Sequence, residues 1–232
     1  MKNNTILITG TSKGIGKYLA DYFLENSYNV VGCSRGESVL KHDSYHHVCC
    51  DITIEKNVKM AVDSALKRFG AIDLLINNAG VASLNHSILT PSTTVKKIFE
   101  TNFNGTFYFS REVSKVMMRK QGGKIVNFTT VAVPLNLEGE MIYASSKAAV
   151  EKMTKIMSKE LANSNIQINA IGPTPIQTDL IKAVPHLKLQ ELIDKQSIKR
   201  LGTFEDVLNV IKFFIHPDSN MITGQIIYLG GL

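Results

Sequence analysis

Tyr143 and Lys147 stand four residues apart in YASSKAAVEKMTKIMSKELA, a helical stretch that projects both side chains from one face. A phenol is a weak acid at neutral pH, and a nearby ammonium favours its phenolate. The pair therefore has the makings of a proton-transfer device. It would give a proton to a carbonyl oxygen, or take one from an alcohol, as hydride moves to or from a nicotinamide. Thr130 lies thirteen residues upstream, at the expected end of the strand IVNFTT, and offers a hydroxyl for the same oxygen. Tyr-x3-Lys also occurs on solvated helices and Thr also ends strands, so the pair's position at the mouth of a ligand cleft separates the readings.

A second constellation is TGTSKGIG at positions 9–16, with Gly10, Gly14 and Gly16 spaced G-x3-G-x-G between an apolar run and a helical segment. Glycines there let backbone N–H groups and a helix N-terminus approach a pyrophosphate, although a tight turn without a ligand has the same look. About 20 residues further on, an acidic side chain would suit a ribose 2′-OH and an arginine a 2′-phosphate. Arg35 follows Ser34 at that point, and no Asp or Glu occurs from Val30 to Gly36. With Lys13 as a second cation, the expected cofactor is NADP(H). Asp51, at the end of the third expected strand, is left to accept from an adenine amino group.

The elements that must position these residues alternate. Apolar strands are expected at Thr5–Thr9, Asn29–Cys33, His47–Cys50, Leu74–Asn77, Lys124–Thr129, Gln167–Ile171 and Ile226–Leu229, with longer amphipathic segments between them. The first of those segments, Lys17–Asn26, carries Leu19, Ala20, Phe23 and Leu24 at helical spacing. This alternation predicts an α/β single-domain Rossmann fold: a doubly wound parallel sheet of about seven strands with helices on both faces. Its 232 residues, 44% hydrophobic, suit one domain over 1–232, with 180–200 as a substrate lid.

Composition narrows the partners. Twenty-six Lys and Arg against twenty Asp and Glu leave +6, yet there is no long basic block, no Trp and only 7% aromatic residues, so nucleic acid is not expected. Neither a signal peptide nor a membrane span is expected, because the apolar stretch after Lys2 breaks at Gly10 and no run approaches eighteen apolar residues. Cys33, Cys49 and Cys50 are odd in number and form no C-x-x-C, which places the protein in the cytoplasm with reduced thiols. His46 and His47 beside these cysteines suggest a metal, but neighbours on a strand face opposite ways, and none is expected.

Joined in order, TGTSKGIG, CDI at 50–52, NNAG at 77–80, Asn102 in TNFNGTF, Tyr143 with Lys147, and TGQIIYLGG resemble the short-chain dehydrogenase/reductase family along nearly the whole chain. The resemblance implies a catalytic tetrad of Asn102, Thr130, Tyr143 and Lys147. In it Tyr143 is the acid/base, Lys147 lowers its pKa and binds the nicotinamide ribose, and Asn102 holds a water. It implies cofactor contacts from Gly10, Ser12, Lys13, Gly14, Ile15, Gly16, Ser34 and Arg35. Asp51 and Ile52 would lie at the adenine, Asn77, Ala79 and Gly80 along the adenosine, and Pro173, Ile176 and Thr178 at the carboxamide. It also implies a homotetramer or homodimer through helices at Lys97–Arg119 and Tyr143–Leu161.

Two positions depart from the pattern: Thr130 replaces the usual Ser, and Pro173-Thr174-Pro175 replaces Pro-Gly. The chain is similar to 3-oxoacyl-[acyl-carrier-protein] reductases, with RLGTFEDV at 200–207 in their C-terminal pattern. Their two carrier-docking arginines fall at Gln121 and Ser164, leaving Arg119, Lys120 and Lys124 as substitutes. The expected substrate is a small carbonyl or secondary alcohol. The alternatives are a 3-oxoacyl thioester, a sugar or polyol, and a catalytically weak NADP(H) sensor.

Overall fold

Every strand of the sheet is parallel, in the order β3-β2-β1-β4-β5-β6-β7. The computed structural model describes residues 4–179, 181 and 184–231. The strands are β1 (Thr5–Thr9), β2 (Asn29–Ser34), β3 (Tyr45–Cys49), β4 (Leu74–Asn77), β5 (Gly123–Phe128), β6 (Ile166–Gly172) and β7 (Ile226–Tyr228). Helices α1 (Gly14–Glu25) and α8 (Phe204–Ile215) cover one face. Helices α2 (Glu55–Phe69), α4 (Thr106–Arg119) and the end of α6 (Met141–Glu160) cover the other. Short helices α3 (Ser92–Phe99), α5 (Ala132–Leu135) and α7 (His186–Asp194) complete the set.

The two-residue period of a strand explains the layers. Ile6 and Ile8 enter one core with Phe23, Val126 and Phe214, while Leu7 turns to the other with Val58, Phe109 and Val113. Each fully buried Leu or Phe contributes about 1.5–3 kcal/mol of transfer free energy, so the two cores fix the sheet between its helices. Strand order reverses between β1 and β4, and in such sheets ligands bind beyond the carboxyl ends at that switch.

Two connections differ from the sequence expectation. Residues 35–44, between β2 and β3, contain no helix. That segment has only the adjacent pair Val39 and Leu40 as large apolar residues, too few for a helical stripe, and Ser38 accepts the Leu40 N–H locally. The helix expected through Lys97–Arg119 is broken by a π-helical segment, Glu100–Gly105, with Asn102 inside it. β5 ends at Phe128, so Thr129 and Thr130 stand past the strand in the turn that enters the cleft. Of the expected lid, Leu180 and residues 182–183 lie outside the described residues; α7 occupies its middle.

Candidate active site

A cavity of about 220 Å³ opens beyond the carboxyl ends of β4, β5 and β6, and Thr130, Tyr143 and Lys147 all line it. Ile15, Gly80, Pro173, Ile176 and Thr178 reach the same cavity from the glycine turn, the β4 loop and the β6 loop. The i, i+4 spacing of Tyr143 and Lys147 on α6 puts both on the wall that faces β5. Lys147 is 4% exposed, and its Nζ donates to the Phe128 carbonyl at 2.9 Å. Burial lowers its pKa to about 8. Burial pushes the Tyr143 phenol up to about 12; a hydrogen bond with Thr130 opposes the shift and the Glu140 charge adds to it. Desolvation therefore outweighs any lowering of the phenol by Lys147, whose ammonium is engaged by a backbone carbonyl.

Asn102 does not line this cavity. Its Oδ1 accepts from Val81 N, and its Nδ2 donates to Val81 O and to Ser146 Oγ, each at 2.9–3.0 Å. Ser146 Oγ in turn donates to Tyr143 O at 2.7 Å. All three side-chain bonds position the loop after β4 against the first turn of α6, and the π-helical segment is what turns the side chain inward. The Asn102 carbonyl accepts from Thr106 Oγ1 at 2.7 Å.

The glycine turn has the geometry of an anion cradle. Gly10 and Gly14 have positive φ, and a Cβ on Gly16 would lie 2.3 Å from Gly10 O. The N-terminus of α1 has no side-chain cap and no acidic residue in its first turn, so its N–H groups are left for a ligand. Asn78 Nδ2 donates to Thr9 O and Gly10 O, and Ala79 N donates to Thr9 Oγ1, pinning the turn to the β4 loop. Asn78 was not singled out from sequence, although it is the asparagine of the pair that reaches the cleft. Asn77 points away: its side chain is buried, donating to Ser110 Oγ and Asn127 Oδ1, so the expected adenosine contact is not made by that side chain.

At the far end of the cleft, Arg35 is exposed and forms no ion pair among the described residues. Lys13 turns the other way and pairs with Asp179 at 2.6 Å, bridging the glycine turn to the β6 loop. Of the two cations expected at a ribose phosphate, only Arg35 is uncommitted. Ser34 Oγ donates to Gly36 O, and His47 Nε2 lies 2.9 Å from that carbonyl and 3.3 Å from Ser34 Oγ. Tyr45 links His47 to Thr11 in the glycine turn, its phenol lying where Gly32 has no side chain. His46 faces the opposite side and contacts Ser64 on α2. Asp51 accepts from Thr53 N and Oγ1, and Ile52 packs on Gly105.

Thr174, the departure in the β6 loop, points its hydroxyl at Gln196 Oε1 at 2.6 Å and its methyl at Gly202. It is held against the segment that follows α7 while still lining the cavity. Ser197 N and Ile198 N donate to the carbonyls of Gly231 and Gly230, so the C-terminal glycines anchor the same segment.

The sequence pattern of the short chain dehydrogenase family spans residues 4–188. The chain belongs to that family. The 3-oxoacyl-[acyl-carrier-protein] reductase FabG of Vibrio cholerae is 28% identical over 237 residues, covering 100% of this chain and 97% of its own length. The solved structure of ElxO with NADP bound superposes with a TM-score of 0.90 at 31% identity, over 99% of this chain and 97% of that one. That of NAD+-bound xylitol dehydrogenase gives 0.91 at 25% identity, over 100% and 99%. This short-chain dehydrogenase therefore shares its frame with an NADP-bound protein, an NAD+-bound xylitol dehydrogenase and a 3-oxoacyl-[acyl-carrier-protein] reductase.

Proposed function

We propose that this short-chain dehydrogenase transfers hydride between NADP(H) and a carbonyl or secondary alcohol, acting chiefly as a carbonyl reductase. The observation that carries the reading is the convergence of Thr130, Tyr143 and Lys147 on one cavity that also meets the glycine turn. The uncapped α1 and the cradle at Gly10, Gly14 and Gly16 fit a pyrophosphate, and uncommitted Arg35 fits a 2′-phosphate. NADPH, when bound, supplies the hydride. Thr130 and Tyr143 orient the substrate oxygen, and the phenol, still protonated at neutral pH, gives its proton to that oxygen. Lys147 holds a positive charge at the base of the cavity, where it favours the phenolate left behind. Asn102, through Ser146, positions the turn that carries Tyr143.

The Vibrio relative's name supports 3-oxoacyl thioester reduction, and xylitol dehydrogenase supports a polyol. Of the three cations that would replace carrier-docking arginines, Lys120 and Lys124 are spent on Asp73 and on the carbonyls of Phe214 and His216, while Arg119 is exposed and forms no ion pair among the described residues. With one of the three left to dock a carrier, these bonds support a free small molecule as the substrate. Thr130 keeps its hydroxyl beside the phenol and the Thr174 hydroxyl is engaged by Gln196, which supports a working site over a cofactor sensor. The 180–200 segment, with α7 against the cavity, would serve as the substrate lid. Exposed Met118 on α4 and Ile156 on α6 support a homotetramer or homodimer through those helices. Among the described residues no helix is long and apolar enough to cross a membrane.

NADPH oxidation followed against a panel of ketones, diketones and ketoses tests the proposal; tight NADPH binding with no turnover on any of them would refute it. Arg35→Ala should weaken NADPH by about tenfold or more and leave NADH nearly unchanged, because one charge-assisted phosphate contact is lost. Equal losses, measured by nucleotide fluorescence titration, would remove Arg35 from the 2′-phosphate. The raised phenol pKa also gives a pH signature. Ketone reduction should hold a plateau from about pH 6 to 8, since the proton donor stays loaded, while alcohol oxidation should climb with pH. A reduction rate already falling below neutrality would contradict Tyr143 as the donor.

A further inference from the structure

We propose that Glu140 is a specificity-determining residue whose carboxylate accepts a hydrogen bond from a hydroxyl adjacent to the substrate carbonyl, so that the cavity selects hydroxylated ketones over alkyl ones. The inference rests on the reductase reading and deepens it.

Glu140 immediately precedes α6 and, with Tyr143 and Lys147, forms an i, i+3, i+7 stripe that lines the cavity. Much of the remaining lining is apolar, with Leu84, Val131, Leu137, Val184, Leu189 and Leu192 in it. Glu140 and Lys147 are the only charged side chains among the described lining residues, and Lys147 is already bonded to Phe128 O. No hydrogen bond reaches the Glu140 carboxylate among the described residues. Burial raises its pKa, while Lys188 on α7 acts on it electrostatically without forming an ion pair with it. A half-buried carboxylate without a protein donor depends on solvent, so a ligand that fills the cavity must bring an O–H to it or leave it unsatisfied. The nearby Lys188 ammonium disfavours a second cation, which selects a neutral hydroxyl over an amine. A plain alkyl chain would leave the carboxylate desolvated and unpaired. The Glu140 charge also acts on the Tyr143 phenol, so a group bound to Glu140 lies within the field of the reacting oxygen.

The test uses a matched pair, hydroxyacetone and butan-2-one, which differ by a hydroxyl in place of a methyl. With NADPH saturating, kcat/KM is measured for both on the wild type, Glu140→Leu, Glu140→Gln and Lys188→Ala. The hydroxyacetone/butanone ratio should fall by about tenfold or more in Glu140→Leu, mainly through a higher KM for hydroxyacetone. Glu140→Gln, which keeps an acceptor, should fall between, and Lys188→Ala should keep the wild-type preference. NADPH binding reports that each variant is folded. An unchanged ratio in Glu140→Leu would overturn the proposal while leaving the reductase reading intact. So would a Lys188→Ala variant that matched Glu140→Leu, which would make Glu140 a contact for α7. Wild-type enzyme that reduces neither ketone, nor any member of the wider panel, would overturn the reductase reading and this inference with it.

Discussion

Replacing Tyr143 by Phe should lower kcat for ketone reduction by about a thousandfold and leave the NADPH Kd within about twofold. The substitution removes one oxygen and little volume, so the cavity wall and the packing of α6 are preserved. The phenol's raised pKa sharpens the expectation. Held near 12 by burial, it is a donor that stays loaded at neutral pH, and no other acidic side chain except Glu140 lines the cavity among the described residues. The Thr130 hydroxyl remains in the variant and can still bond the substrate oxygen, but a hydroxyl alone supplies no acid near the required strength. Stopped-flow absorbance at the nicotinamide band separates the chemical step from nucleotide binding. A loss of NADPH affinity equal to the loss of kcat would mean that Tyr143 acts by holding the nucleotide.

Gly16→Ala should weaken NADPH by at least tenfold and lower Tm by about 5 °C. The added Cβ would sit 2.3 Å from Gly10 O and 2.4 Å from Asn78 Nδ2. The nearer atom is backbone in the turn that would cradle the pyrophosphate, so relief requires the turn or the start of α1 to move. Asn78 would also lose its bonds to Thr9 O and Gly10 O, which tie the turn to the β4 loop. Gly122→Ala is the matched control: its Cβ would meet only Asn165, at 3.5 Å or more, and its φ is not positive. Calorimetry and nucleotide titration of the two variants should show the contrast. A Gly16→Ala protein with wild-type Tm and NADPH affinity would mean the turn is not tightly packed around a ligand.

The inner strands were legible because they are buried on both faces and so read as largely apolar runs; β1 and β4 fall on their expected residues. The stripe on α1 was equally plain, since Leu19, Ala20, Phe23 and Leu24 are the residues it buries. The short β2–β3 connection was not legible as helix-free, because alternation of strands alone suggests a helix at every crossover. Side-chain direction was the harder problem. In Asn77-Asn78 consecutive residues face opposite sides, and only tertiary packing shows that Asn77 enters the Ser110–Asn127 network while Asn78 reaches the turn. The pairing of Lys13 with Asp179 could not be read from spacing, as the two are 166 positions apart. The net direction of the Tyr143 shift was not legible, because charge pairing can be guessed from i, i+4 spacing, whereas desolvation depends on everything packed around the ring.

Glu140 was overlooked for a related reason. It precedes the Tyr-x3-Lys pair by three residues, a spacing that a helical reading of the pair would have placed on the same face. What the spacing alone lacks is the apolar enclosure from Leu84, Leu189 and Leu192, contributed by two distant segments.

In the proposed reaction Tyr143 donates a proton to a carbonyl oxygen while hydride arrives from NADPH. Nicotinamide-4-deuterated NADPH of each stereochemical form, mixed with the enzyme and hydroxyacetone, tests it directly by mass spectrometry of the alcohol. One of the two forms should place a single deuterium on the carbinol carbon with wild-type enzyme, and Tyr143→Phe should form the same labelled product about a thousandfold more slowly. NADPH that binds tightly yet yields no deuterated alcohol, from this ketone or any other in the panel, would contradict the account.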